Sequence, residues 1–251
     1  MDPLRVALVT GSGKQRVGAS VAEALADRGY HVVLHYHRSE AEAHERAARI
    51  RLRGGNALPL QADLADEHSV RALVDSTLRN LNRLDVLVTC AAIWEPKRLE
   101  DVTAADVRRH LEVNTVGTFV CCQQAGLAMV RQPEGGCIVT LGDWAIERPY
   151  REYSAYFPSK GAIPTLTRCL AVELGTRNPR VRVNCILPGP VMLPEDLPAD
   201  EKRRTIEATL VRREGRPEHV AQTVLYLVDN EFVTGDCVRV DGGRTIFAAG
   251  F

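Results

Sequence analysis

The sequence predicts a doubly wound α/β fold, and three observations predict it. Short apolar runs alternate with longer stretches of helical spacing from residue 5 onward. The runs are apolar almost throughout, which strands of a parallel sheet covered on both faces require. No Gly/Ser-rich or Pro-rich linker breaks the alternation, so one domain over 1–251 is expected.

Each element follows in order. "RVALVTG" (5–11) is β-branched and ends on glycine; "GASVAEALADRGY" (18–30) has helical spacing and a glycine stop; "HVVLHY" (31–36) is a strand again. A helix over 39–54, a strand over 57–64, a helix over 67–81 and a strand over 84–92 repeat the unit. Helix is expected from about Asp106 to Val130, strand over 136–141, a long helix around Ser154 to Thr176 and strand over 181–190. The polar, Pro-punctuated stretch that follows reads as a lid over a site, at 192–216, or as a solvated excursion.

Bulk properties narrow the partners. Lys and Arg total 32 and so do Asp and Glu, so no global field favours nucleic acid or an anionic membrane. The seven cysteines are scattered without a C-x-x-C pair and read as core residues of a reduced compartment. No segment approaches the ~20 apolar residues of a membrane span, and no basic leader precedes the first apolar run. A soluble, cytoplasmic protein is expected. His35 and His37 alternate on a strand, but no third ligand stands near them in sequence, and no metal is expected.

The turn after the first strand carries Gly11, Gly13 and Gly18. Glycine permits close backbone approach, and the helix N-terminus offers free N–H groups to a pyrophosphate, so a dinucleotide is expected here. The end of the second strand selects which. An acid there suits a ribose hydroxyl and a cation suits a 2′-phosphate. His37, Arg38 and Ser39 occupy that place, with Lys14 and Arg16 in the facing turn, so NADP(H) is favoured over NAD. Ser39 is placed to cap the next helix. Asp63 is placed either to accept from an adenine amino group or to cap a helix.

Tyr156 and Lys160 are spaced i, i+4 and share a helix face. An ammonium beside a phenol favours phenolate and lowers its pKa from ~10, which suits a proton donor in carbonyl or imine reduction. With the glycine turn, "DVLV" (85–88), "NTVG" at Asn114, "RVNCILPGPV" (182–191) and "TGDCVRVDGG" (234–243), the chain resembles the short-chain dehydrogenase/reductases over nearly its whole length. The resemblance implies a Rossmann-type sheet of seven parallel strands. It also implies a water held by Asn114 in a proton relay through Lys160, Pro188 and Gly189 bordering the nicotinamide, and a homotetramer into which the tail "TIFAAGF" packs. Two departures stand out: the glycine turn has an Arg for a central glycine and is one residue longer, and "TCAA" (89–92) replaces the usual N-N-A-G.

Most of that family has a serine 13 residues before the tyrosine; here it is Asp143. A carboxylate accepts from a substrate N–H, and donates only if burial raises its pKa. Among the family, the chain resembles the pteridine reductases in this aspartate, in "HYHRS" (35–39), in Arg16, in Trp94 after the fourth strand and in Tyr153. Ala92 stands where some of them have a serine. That resemblance implies NADPH-dependent reduction of a pterin C=N bond, the ring held against Trp94 and polarised by Arg16, with Asp143, Tyr153 and Tyr156 around it. Local roles remain open beside these: Trp94 as a loop plug, Tyr153 as a helix start, Asp143 as a cap or a partner of Arg148. A carbonyl or 3-oxoacyl reductase is the competing enzyme, and an NADP-binding regulatory protein with a vestigial site the competing class.

Overall fold

Residues 4–247 are described by a computed structural model of the chain. Seven strands, β1 (Val6–Thr10), β2 (His31–Tyr36), β3 (Asn56–Gln61), β4 (Val86–Thr89), β5 (Gly136–Leu141), β6 (Val181–Pro188) and β7 (Cys237–Val240), form one sheet in the order β3-β2-β1-β4-β5-β6-β7. Every pairing is parallel. The strand order reverses between β1 and β4, which opens a crevice at their C-terminal ends where doubly wound sheets bind ligands.

Alternate residues of each strand feed opposite faces. Ala7 and Val9 pack with Leu25, Ile50 and Val224 of α1 (Val17–Asp27), α2 (Glu40–Leu52) and α8 (Pro217–Asp229). Val6 and Leu8 pack with Leu73, Val120 and Leu170 of α3 (Glu67–Leu81), α5 (Gly117–Val130) and α6 (Tyr156–Gly175). Both faces are dry, which accounts for the uninterrupted apolar strands.

The expected helix from Asp106 to Val130 is two helices, α4 (Ala104–Leu111) and α5, joined by a π turn over Glu112–Val116. A Cβ on Gly117 would lie 2.3 Å from the Leu64 carbonyl oxygen, so the chain widens just before α5 to bring its backbone against the loop after β3. The strands expected over 57–64 and 84–92 end earlier, at Gln61 and Thr89, which frees their last residues to line the crevice. Within 192–216 the regular element is α7 (Ala199–Glu207), none of whose residues is buried. No helix among the described residues is long and apolar enough to cross a membrane.

Candidate active site

The glycine turn is held from three sides. Gly11 has φ +66°, and a Cβ there would lie 2.8 Å from Ala91 Cα, so "TCAA" packs directly on the turn. Its N–H donates to His35 Nδ1 at 3.0 Å, and His35 Nε2 donates to the Ala62 carbonyl at 3.1 Å. One neutral tautomer satisfies both bonds, so His35 is a strut between β1, β2 and the end of β3. Among the described residues no cluster could hold a metal. Cβ atoms on Gly13 and Gly18 would meet Ser39 Oγ at 2.6 Å and the Gly11 oxygen at 2.7 Å. The longer turn is gripped by a residue that sequence reasoning missed: Arg46 of α2 donates to the Gly13 carbonyl at 3.4 Å and Gln15 Oε1 at 2.9 Å, and pairs with Glu23. Ser39 makes no capping bond and packs against Gly13 instead.

Burial pushes the His35 imidazole down to about 4. Its folded pKa lies below the ordinary 6.5, so its contribution to stability is complete above pH ~6.5 and lost as pH falls toward 4. The loss is about 3 kcal/mol. Urea midpoints measured from pH 7.5 to 4.5 should fall less steeply for His35→Asn, whose amide cannot titrate; parallel curves would remove His35 as the cause.

Lys14, Arg16, His37 and Arg38 are exposed around this turn. His37 Nε2 lies 3.6 Å from Asp63 Oδ2, while Lys14, Arg16 and Arg38 have no carboxylate within ion-pair distance among the described residues. Asp63 accepts from the Ala65 N–H at 2.9 Å, and the cap of α3 is its neighbour Asp66. Unpaired cations beside a backbone cradle that side chains would fill are groups that could hold a phosphorylated dinucleotide. Across the crevice, Pro188 ends β6, and a Cβ on Gly189 would lie 2.5 Å from Asp241 Cα, so glycine there is required by the close approach of the segment after β7.

Asp143 follows β5 in extended conformation and begins a 3₁₀ turn, Trp144–Ile146; its Oδ1 accepts from the Ala145 N–H at 2.8 Å. Its Oδ2 accepts from the Tyr156 hydroxyl at 2.9 Å. The capping role and the contact with Tyr156 both hold, whereas Arg148 turns away to the carbonyls of Arg244 and Phe247. Burial raises the Asp143 carboxyl, opposed by those two bonds and by Lys160. The Tyr156 phenol is pushed well above its ordinary value by burial and then by Asp143. Lys160 is buried and donates to the Leu141 carbonyl at 2.8 Å; burial lowers its pKa against the pull of Asp143. The expected depression of the phenol is therefore reversed in this state, and Tyr156 keeps its proton.

Asn114 sits in the π turn, fully buried. Its Oδ1 accepts from the Ile93 N–H at 2.8 Å, and its Nδ2 donates to the Ile93 carbonyl at 3.0 Å and Ser159 Oγ at 2.9 Å. Asn114 thus fastens the loop after β4 to α6. One helical turn earlier, His110 donates from Nδ1 to the Asp106 carbonyl at 2.9 Å and lies edge-on to Tyr156, 6.3 Å between centroids. Its Nε2 is buried and has no hydrogen-bond partner among the described residues.

Trp94 is 41% exposed and stacks on Tyr153, 4.8 Å between centroids and 12° between planes. The face expected to receive a substrate ring is shared with a protein ring in this state. Tyr153 lies 6.2 Å from Tyr156 and 5.1 Å from Tyr150, and Tyr150 lies 6.4 Å from Trp144. The two loops involved are joined by Lys97 N–H to the Glu152 carbonyl at 2.7 Å. Both tryptophans of the chain thus belong to one wall beside Tyr156, and Trp144 and Tyr150, both shortly after Asp143 in sequence, are members that sequence reasoning missed.

A parallel sheet with a glycine cradle at its switch point, and a tyrosine and lysine over the adjoining edge, defines a dinucleotide-type oxidoreductase scaffold. A family model described as "Enoyl-(Acyl carrier protein) reductase" matches residues 12–245, and the chain belongs to this family of short-chain dehydrogenases/reductases. It is 34% identical over 256 residues to versicolorin reductase 1 of Aspergillus parasiticus, covering 95% of each chain. The structure is similar to that of acetoin dehydrogenase from Enterobacter cloacae, with a TM-score of 0.89 and 30% identity, covering 100% of this chain and 99% of the other. It is also similar to a blue fluorescent protein from a metagenomic library, solved in complex with NADPH, with a TM-score of 0.87 and 31% identity over 96% and 98% of the two chains.

Proposed function

We propose that the protein is an NADPH-dependent reductase of a flat, conjugated ring substrate, acting first of all on a ring carbonyl. The observation that carries this is the Tyr156 hydroxyl, still protonated, bonded to a partly buried Asp143 beside an aromatic wall. When bound, NADPH supplies hydride. Gly11, Arg16, Gly18, His37, Arg38, Ser39, Asp63, Lys160, Pro188 and Gly189 hold it, and the NADPH complex of a structural neighbour and the unpaired cations support that choice. Tyr156 gives its proton to the substrate oxygen, Lys160 stabilises the phenolate left behind, and Asn114 keeps both helix and loop in place. Burial shifts Asp143 toward its protonated form, in which the carboxyl is a second O–H donor where most of the family has serine.

Relatives named for an acetoin dehydrogenase and a versicolorin reductase support chemistry at a carbon–oxygen bond. A second reading, reduction of a C=N bond in a pterin, is favoured by Asp143 itself: ionised, it accepts from a ring N–H and releases the Tyr156 hydroxyl to protonate nitrogen. Trp94, Tyr153 and Arg16 then contact the pterin. Asp143→Ser separates the readings. With NADPH and an aryl ketone, the variant should retain or gain turnover. With dihydrobiopterin, the second reading requires a loss of about 100-fold. A wild-type protein that turns over neither substrate, yet binds NADPH, would be a regulatory binder and would sink both.

The chain acts as one domain with residues 192–216 as its lid, in a cytoplasmic homotetramer. The tail "TIFAAGF", assigned to that interface, lies partly outside the described residues, and Ile246 within it is largely exposed. Size-exclusion chromatography reads the assembly directly.

A further inference from the structure

The wall of rings that leaves Tyr156 through Tyr153 and Tyr150 ends at Trp144, and there two guanidinium groups stand that the reduction does not use. The Arg244 guanidinium carbon lies over the Trp144 ring, 5.2 Å from its centroid. Among the described residues the Arg244 guanidinium has one hydrogen-bond partner, the Thr205 carbonyl, which Nη1 reaches at 3.0 Å. Among the described residues, Arg148 beside it donates to two main-chain carbonyls, those of Arg244 and Phe247.

The carboxylates nearest in sequence are already occupied. Asp241 accepts from the N–H groups of Gly243 and Thr245 and from Thr245 Oγ1, at 2.9, 2.8 and 2.7 Å, closing its own turn. Glu147 pairs with Arg239. Among the described residues, neither Arg148 nor Arg244 has a carboxylate within ion-pair distance. Burial and then the neighbouring Arg148 hold Arg244 below its ordinary pKa, against a smaller pull from Tyr150. Two like charges, one of them half-buried against an aromatic face, are a cost that an anion would offset.

We infer that Arg244, with Arg148 beside it, binds a carboxylate carried by the flat substrate whose reducible bond lies at Tyr156. This rests on the reading of Tyr156 as proton donor, and it adds the substrate's charge and the end of the ring wall at which that charge lies. The planar guanidinium fork suits two carboxylate oxygens, and Trp144 and Tyr150 cover the apolar ring between the two ends. Because Arg244 also bonds Thr205, in the last turn of α7, an anion at this position bears on the polar segment 192–216 as well.

Calorimetric titration of the NADP⁺ complex with 2-naphthoate and with its neutral isostere 2-naphthamide tests the inference without any turnover. The wild-type complex should bind the carboxylate about 10-fold or more tightly than the amide. Arg244→Gln should erase that preference, and Arg148→Gln should reduce it. Equal affinity of the wild-type complex for the two probes overturns the inference whatever the variants do. So does an Arg244→Gln protein that keeps the preference, which would make Arg244 a strut for the Thr205 carbonyl. Absence of ketone or pterin turnover sinks the proposed reaction and leaves this result standing.

Discussion

Tyr156→Phe should lower kcat by about 10²–10⁴-fold while NADPH binds as before. The substitution removes one atom. The ring keeps its edge-to-face packing with His110, Tyr153 and Phe157, so the wall and the start of α6 stay in place. What disappears is the single hydroxyl donor on Asp143 Oδ2. That bond lowers the Asp143 pKa against burial, so its loss raises the carboxyl further. An acid whose folded pKa is raised binds protons more tightly in the folded state, and its folding stability falls as pH rises through the window between the unfolded and folded values. The variant should therefore lose most stability toward neutral pH, by about 1–3 kcal/mol, and less in acid. Steady-state rates from NADPH absorbance, with cofactor affinity from NADPH fluorescence, separate chemistry from binding. A variant retaining half the wild-type kcat would leave the proton to another group.

What could be read from the residues alone was what local pattern encodes. A strand covered on both faces is apolar all along, and Tyr156 and Lys160 are one helical turn apart, so the strands' existence and the helix face needed no partner to be seen. Asp143 was visible through its spacing from Tyr156, but its protonation depends on burial, which no spacing reports. The π turn before α5 was not legible, because it accompanies a tertiary contact, the Leu64 carbonyl of the loop after β3 lying against Gly117. Nor was the stack of Trp94 on Tyr153, which joins two loops far apart in sequence. His35 read as half of a metal pair with no third ligand; its two bonds, to Gly11 and Ala62, exist only once three strands lie side by side. Arg46 is one of several arginines in α2, and only the packing of that helix on the glycine turn distinguishes it. Residues whose role is a tertiary contact carry no sequence signal except being unneeded locally.

Gly11→Ala should be the most damaging single-methyl change in the cradle. Two independent costs meet there. A non-glycine residue at φ +66° carries about 1–2 kcal/mol of strain. The new Cβ would also lie 2.8 Å from Ala91 Cα and 3.0 Å from Ala91 N, which are backbone atoms of the segment after β4 and cannot rotate aside. Either β1 or that segment must move, and the Gly11 N–H is drawn off His35 Nδ1, leaving a buried imidazole short of a donor. A loss of about 3–4 kcal/mol in unfolding free energy is expected, with NADPH affinity falling at least tenfold because the turn proposed to receive the pyrophosphate is displaced. Ala91→Gly supplies the control. It removes the Ala91 methyl, 3.1 Å from the new Cβ, but neither backbone atom nor the positive φ, so the double variant should recover only a small part of the loss. Full recovery would place the whole cost in the Ala91 side chain and the glycine at position 11 would then be needed for space alone, not for its backbone conformation.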